Sequence, residues 1–237
     1  MNSSKGSRRA GQSARAQFRA ERRRVLRENM RGWLITVALG GGCIAGAVLL
    51  QDRAAALILA GLAGAVAMLC IFGWIVGDVY SLPWMWGAVG EQQTAEALSA
   101  LDNSWRCEHD IPAAQGNWDH VLVGPPGVFL LDSKRFSRQA VVTRDGLASG
   151  RTSYHGGRFR AAAARLCDAL EAQVRRREWV QPVVVVWAEF PQRRLERDGV
   201  AYIHGSELQS WLGSQPGRLS ADHCRELFEA VRKISAA

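Results

Sequence analysis

Asn117-Trp118-Asp119-His120-Val121-Leu122-Val123-Gly124 runs into Pro125-Pro126 and out again as Gly127-Val128-Phe129-Leu130-Leu131-Asp132-Ser133-Lys134. The two arms are rich in β-branched and large apolar residues and flank a Gly-Pro-Pro-Gly turn signal, so they read as paired strands. Val128 to Leu131 is continuously apolar, as in a strand covered on both faces. If the hairpin is centred between Pro125 and Pro126, Asp119 lies opposite Asp132 and Asn117 opposite Lys134. Opposed residues point to one face with Cβ atoms roughly 4.5–5.5 Å apart. Two carboxylates would then meet, with a lysine beside them. Like charges in that position are destabilising, and a cation between them removes the cost. Hard oxygen ligands at this spacing suit Mg²⁺ or Mn²⁺. A slip of one residue would send the two acids to opposite faces.

Outward from the hairpin the pattern is globular. Residues 87–102 read as a helix whose stripe holds Ala88, Glu91, Ala95 and Leu98. Glu91 therefore sits on the face that should pack on the sheet, and a carboxylate there needs a partner, a metal or Lys134. As an acid near a helix start it also has the simpler reading of a dipole-favoured residue. Strands are expected at 105–111, 139–143, 183–187 and 200–204. Helices are expected at 158–179, where Phe159, Ala163, Leu166, Leu170 and Val174 share a face, and at 208–212 and 220–234. This order predicts an α/β fold, a mixed β-sheet with helices on both faces.

The chain has 27 arginines and only three lysines, Lys5, Lys134 and Lys233. A lysine at 134 against that bias points to a compact ammonium whose proton can move, which arginine cannot supply. The five cysteines (Cys43, Cys70, Cys107, Cys167, Cys224) form no CxxC pair, which argues against a disulfide framework or a cysteine-based zinc site. His120 alternates to the face opposite Asp119 and reads as structural. His109, His155, His204 and His223 show no metal-ligand spacing. Arg175-Arg176-Arg177 reads as a solvated helix end, and Trp118 as packing.

The formal net charge of +8 is unevenly placed. Residues 1–32 carry ten basic and two acidic residues, and residues 33–237 carry twenty of each. Residues 1–32 therefore read as a basic, disordered tail, with a surface helix from Ala14 as the alternative. The neutral remainder argues against a broadly basic domain that coats nucleic acid. Trp33 to Leu50 is uncharged over 18 residues, and Ala54 to Gly77 over 24. As helices they would reach roughly 27 and 36 Å, lengths that match a bilayer core. Residues 33–80 thus read as a transmembrane hairpin with spans at 33–50 and 54–77. Gly42 with Gly46, and Gly73 with Gly77, are candidate helix contacts. The basic tail places both termini in the cytoplasm by the positive-inside bias. With Arg- and Ala-rich, Lys-poor usage, the expected location is the inner membrane of a bacterium.

Three segments together, Gly87-Ala88-Val89-Gly90-Glu91, Asn117-Trp118-Asp119-His120-Val121 and Gly127 to Lys134, resemble the nuclease-related domain (NERD) family over about 84–180. That family is similar to the restriction-endonuclease-like superfamily, whose site runs acid, Asp, then Asp/Glu-x-Lys. The resemblance implies a nuclease domain at 84–237 with a mixed sheet flanked by helices. It implies Glu91, Asp119 and Asp132 as ligands of Mg²⁺ or Mn²⁺ and Lys134 as the residue that assists the nucleophile. Members often carry Glu where this chain has Asp132, a shorter carboxylate. Arg158, Arg160 and Arg165 would contact phosphates. Such enzymes often pair, so a homodimer is implied as well. The resulting expectation is a membrane-anchored, metal-dependent nuclease that hydrolyses nucleic acid, DNA before RNA, on the cytoplasmic side. The near-zero charge of the domain supports the alternative, a non-catalytic membrane-tethered binding or scaffolding module on a nuclease-like fold.

Overall fold

A computed structural model describes the backbone over residues 12–49, 53–114 and 116–236. Side chains are described over the same residues except 12–22, 25–26, 28–29, 31–33, 47 and 70–85. Two compact units result, Arg15–Met85 and Trp86–Ala237.

The first unit is made of two long helices, α1 (Gln12–Leu49) and the greater part of α2 (Arg53–Ser99). Residues 12–32, expected to be disordered, are the helical first half of α1, which suits their Ala-, Arg- and Glu-rich composition. The helices touch at glycines. A Cβ at Gly40 would lie 3.2 Å from Val66 Cγ1, and one at Gly46 3.1 Å from Leu59 Cδ1. Gly42, one of the expected contact residues, faces open space. Large apolar side chains stand out from both helices, among them Leu34, Ile35, Val37, Leu39, Val48, Leu49, Leu57, Ile58, Met68 and Leu69. Among the described residues, no helix is long and apolar enough to cross a membrane. The expected spans at 33–50 and 54–77 therefore gain no support from the structure. Parts of both, including the side chains of 70–77 with Gly73 and Gly77, lie outside the described residues.

The second unit is an α/β fold around a mixed six-stranded sheet. Its strands are β1 (Arg106–Pro112), β2 (Asn117–Gly124), β3 (Gly127–Arg135), β7 (Val180–Trp187), β8 (Arg194–Arg197) and β9 (Val200–His204), in the order β1-β2-β3-β7-β9-β8. β1, β2 and β3 form an antiparallel meander, β7 and β9 run parallel to β3, and β8 returns antiparallel at the edge. A second sheet of three short strands, β4 (Val141–Thr143), β5 (Gly146–Ser149) and β6 (Thr152–His155), leads into α3 (Gly156–Val174). The chain closes with α4 (Leu208–Gly213) and α5 (Ala221–Ala236).

Strand alternation splits the core into two layers. Val121, Val123, Val128, Leu130, Val184 and Val186 face α3 and α5, where Phe159, Leu166, Leu170, Leu227 and Val231 complete one cluster. Leu122, Phe129, Leu131, Val183 and Val185 face the other way, toward Leu98 of α2 and Leu208 and Leu212 of α4. The helix expected over 158–179 stops at Val174, because Arg175 adopts the left-handed conformation (φ 57°) and its N–H caps Glu171 O. Arg175, Arg176 and Arg177 are exposed, as a solvated helix end should be. β5, β6 and β8 were not expected. They are four-residue strands of mixed polarity, too short to show a periodic signal.

Candidate active site

The hairpin register positions the acids. Opposed pairs run from Gly124↔Gly127 to His120↔Leu131, centred on Pro125-Pro126. There the ladder ends, so neither expected ladder pair, Asp119–Asp132 or Asn117–Lys134, forms. Lys134 pairs with Val186 of β7, and the Asn117 amide donates to Asp110 Oδ1 (2.8 Å). On the other flank Asp110 has φ 55°, and the β1–β2 ladder passes over Asp110 and Asp119 between its His109↔His120 and Ile111↔Trp118 pairs. Asp119 thus lies where backbone pairing lapses on both sides. Its carboxylate fills one gap: the Ser133 N–H donates to Asp119 Oδ2 at 3.1 Å.

Asp132 and Lys134, two apart on β3, share a face, and Lys134 Nζ donates to Asp132 Oδ1 at 2.5 Å. Both are half-buried. Glu91 arrives from α2. Two contacts hold that stretch of helix on the sheet. Gly90 lies so close to β3 that a Cβ there would stand 3.2 Å from Arg135 Cβ. Four residues on, the buried Thr94 hydroxyl accepts from Ser133 Oγ (2.7 Å) and Trp187 Nε1 (2.8 Å) and donates to Gly90 O (3.1 Å). Glu91, next to Gly90, is 8% exposed, and its charge acts on both Asp119 and Lys134.

The electrostatics follow from this crowding. Burial pushes the Asp119 carboxyl well above the usual carboxylate range; the Asp132 charge adds to the rise, Lys134 opposes it, and Glu91 adds again. Burial alone would lower the Lys134 pKa. The Asp132, Asp119 and Glu91 carboxylates outweigh it, and the net shift is upward. Lys134 is therefore an ammonium ion at neutral pH. Three carboxyl groups around one ammonium leave a surplus of negative charge, which a divalent cation on Asp119, Asp132 and Glu91 would neutralise.

Tyr154 of β6 belongs to the same group, and nothing in its sequence setting marks it. Lys134 Nζ lies 4.7 Å from its ring centroid. Its hydroxyl is raised above the ordinary phenol range by burial first and then by the charge of Asp132. Gly146 makes room for it: with φ 139°, a Cβ at Gly146 would fall 2.1 Å from the Tyr154 carbonyl oxygen. Beyond β6, a cleft of about 490 Å³ is lined by Arg144, His155, Gly156, Arg158, Arg160 and Arg197, among others. Two of the three arginines expected to meet phosphates, Arg158 and Arg160, line it; Arg165 does not.

The opposite face of the sheet departs from expectation. His120 is fully buried, as a structural residue should be, but it pairs across the strands with His109, and Cys107 lies two residues from His109 on β1. Their ligating atoms all lie within 4.8 Å of one another. Linear spacing hid the group, because the hairpin and not the sequence interval joins residues 109 and 120.

Residues 86–187 match the family model of the nuclease-related domain, NERD. The match opens at Trp86 in α2, ends at Trp187 at the close of β7, and encloses Glu91, Asp119, Asp132, Lys134 and Tyr154. No curated protein and no solved structure matches the chain.

Proposed function

We propose that this chain is a metal-dependent nuclease that hydrolyses phosphodiester bonds, with Glu91, Asp119, Asp132 and Lys134 as its reacting group. The observation that carries the reading is the grouping of Asp119, Asp132 and Lys134, from β2 and β3, with the charge of Glu91 from α2 acting on Asp119 and Lys134, inside the stretch that matches NERD. A Mg²⁺ or Mn²⁺ ion held by the three carboxylates would supply charge neutralisation at the phosphate and a more acidic water. The chain's own residues do the rest. Lys134, kept protonated, donates to the attacking water or to a phosphate oxygen as negative charge builds there. Tyr154 lies beside Lys134, with its hydroxyl within reach of the Asp132 charge, and is assigned the role of steadying that carboxylate. Arg144, Arg158, Arg160 and Arg197 offer the neighbouring cleft to the nucleic-acid backbone, duplex DNA being the first substrate to try.

The chain is also proposed to act at a bacterial inner membrane, anchored through residues 33–80 with both termini in the cytoplasm. The uncharged runs and the exposed apolar side chains of α1 and α2 support this, since so large an apolar surface calls for a cover. Pairing of two copies would allow both strands to be cut. The test is cleavage of plasmid, single-stranded DNA and RNA by the full chain purified in detergent, with Mg²⁺ or Mn²⁺ and with chelator. Metal-dependent cleavage supports the reading. A folded protein that cuts none of them fails it and leaves the non-catalytic binding module.

A further inference from the structure

Cys107, His109 and His120 form a second side-chain cluster on the sheet face opposite the acids, and its hydrogen bonds have a definite direction. Gly90 O can only accept, so the Thr94 hydroxyl proton is committed to it. Trp187 Nε1 can only donate, so Thr94 Oγ1 accepts there. Ser133 Oγ, 2.7 Å from Thr94 Oγ1, must then use its own proton on Thr94. Ser133 Oγ has only lone pairs left for His120 Nε2, 3.3 Å away, so Nε2 carries the imidazole proton. The remaining nitrogen of the neutral ring, Nδ1, is a lone pair. It points at His109 Nδ1 (2.7 Å), which in turn lies 3.8 Å from Cys107 Sγ. A ring nitrogen whose opposite N–H is tied to a fixed acceptor is the usual state of a metal-ligating histidine.

We infer that Cys107, His109 and His120 bind a transition-metal ion, Zn²⁺ first among them, through one thiolate and two imidazole nitrogens. A thiolate with two imidazoles is a donor set for borderline-soft ions and not for Mg²⁺. Zinc bonds of about 2.0–2.1 Å to nitrogen and 2.3 Å to sulfur place tetrahedral ligand atoms roughly 3.3–3.6 Å apart. The Cys107 Sγ–His109 Nδ1 distance of 3.8 Å already approximates this, and Cys107 Sγ lies within 4.8 Å of the His120 nitrogen. The two nitrogens, 2.7 Å apart, must part by about 0.6 Å, which rotation of the half-buried His109 ring on an edge strand allows. His120, buried and tethered through Ser133 and Thr94, is the fixed member. Cys107 and His109 are partly open to solvent, which gives the ion an entry path and leaves a coordination position for water. The site is independent of the nuclease reading, although Ser133 joins them: its hydroxyl meets His120 and its N–H meets Asp119.

The test uses the full chain, stripped by chelator and titrated with Co²⁺ as a spectroscopic stand-in for zinc. The expected result is a near-ultraviolet thiolate-to-cobalt charge-transfer band that saturates at one equivalent and is abolished by Zn²⁺. Cys107→Ser should remove the band. His109→Gln, at a partly exposed position, should weaken Co²⁺ binding at least tenfold while circular dichroism stays that of the parent. Asp119→Asn should leave the band intact, because carboxylate ligation gives no such transition. A folded parent without the band, or a band that survives Cys107→Ser, overturns the assignment.

Discussion

The Ser133 backbone N–H is bonded to the Asp119 side chain, at 3.1 Å, and not to the backbone of β2. This one contact explains how a hairpin can present two acids. The strands pair through His120↔Leu131 and then part, and the Asp119 carboxylate takes the ladder position that its own backbone leaves empty. The acid is thereby fixed beside Asp132 although the local electrostatics oppose it.

Lys134 acts as a cation in this account. Lys134→Ala should lower metal-dependent cleavage by roughly two to four orders of magnitude, the range for loss of a single well-placed transition-state donor. Lys134→Arg should recover little, since the guanidinium is larger and cannot repeat the compact contact with Asp132 and the Tyr154 ring. Steady-state rates of the two variants against the parent decide this.

Tyr154 is assigned a positioning role through Asp132. Tyr154→Phe removes the hydroxyl and keeps the ring beside Lys134. It should reduce the cleavage rate about tenfold, equivalent to roughly 1.4 kcal/mol, and should shift the Mn²⁺ dependence to higher concentration. A variant slowed at saturating metal with unchanged metal affinity would show that the hydroxyl does not act through Asp132.

Gly146 should tolerate no side chain. Its φ of 139° is costly for any L-residue, and a Cβ would collide with the Tyr154 backbone. Gly146→Ala should lower stability by about 1–3 kcal/mol or more and perturb the site through β6. Thermal unfolding and cleavage measured on the same preparation test both effects.

The His120 contribution to the stability of the metal-free protein should fall as pH drops below the ordinary histidine value of 6.5. Burial, then the His109 charge, holds the folded-state pKa of His120 well below that value. The unfolded chain therefore binds a proton at 6.5 that the native state refuses, so stability rises with pH through that window and falls on acidification. The limiting slope is about 1.4 kcal/mol per pH unit for one histidine. Asp119 contributes with the opposite sign, so the slope is read from the difference in urea stability between the parent and His120→Asn, measured from about pH 7.5 to 5.5 in chelator: the parent should lose ground to the variant on acidification.

Much of this was legible in the sequence. The apolar stretches Val121–Val123 and Val128–Leu131 around Gly124-Pro125-Pro126-Gly127 declare two buried strands, and Asp132-x-Lys134 shares a face by strand geometry alone. Glu91 is visible as an acid on an apolar helical stripe. Tyr154 was not legible, because it arrives on a four-residue strand whose placement depends on tertiary packing and on Gly146. The Cys107–His109–His120 group was hidden for a similar reason: cross-strand register creates it, and sequence intervals do not. For residues 12–32 the helix is the alternative expectation from Ala14 onward, because dense positive charge favours disorder while Ala and Arg favour helix.

Asp119→Asn gives the most direct test, with melting temperature in chelator and Mg²⁺-dependent cleavage read on one sample of the full chain. The folded-state pKa of Asp119 is raised, so its ionised form opposes folding at neutral pH, and an uncharged amide that still accepts from Ser133 should relieve that cost. We predict a higher melting temperature in chelator than that of the parent, together with cleavage reduced to background. A lower melting temperature with cleavage unchanged would contradict the account, because Asp119 would then be part of a stabilising ion cluster and not of a reacting site.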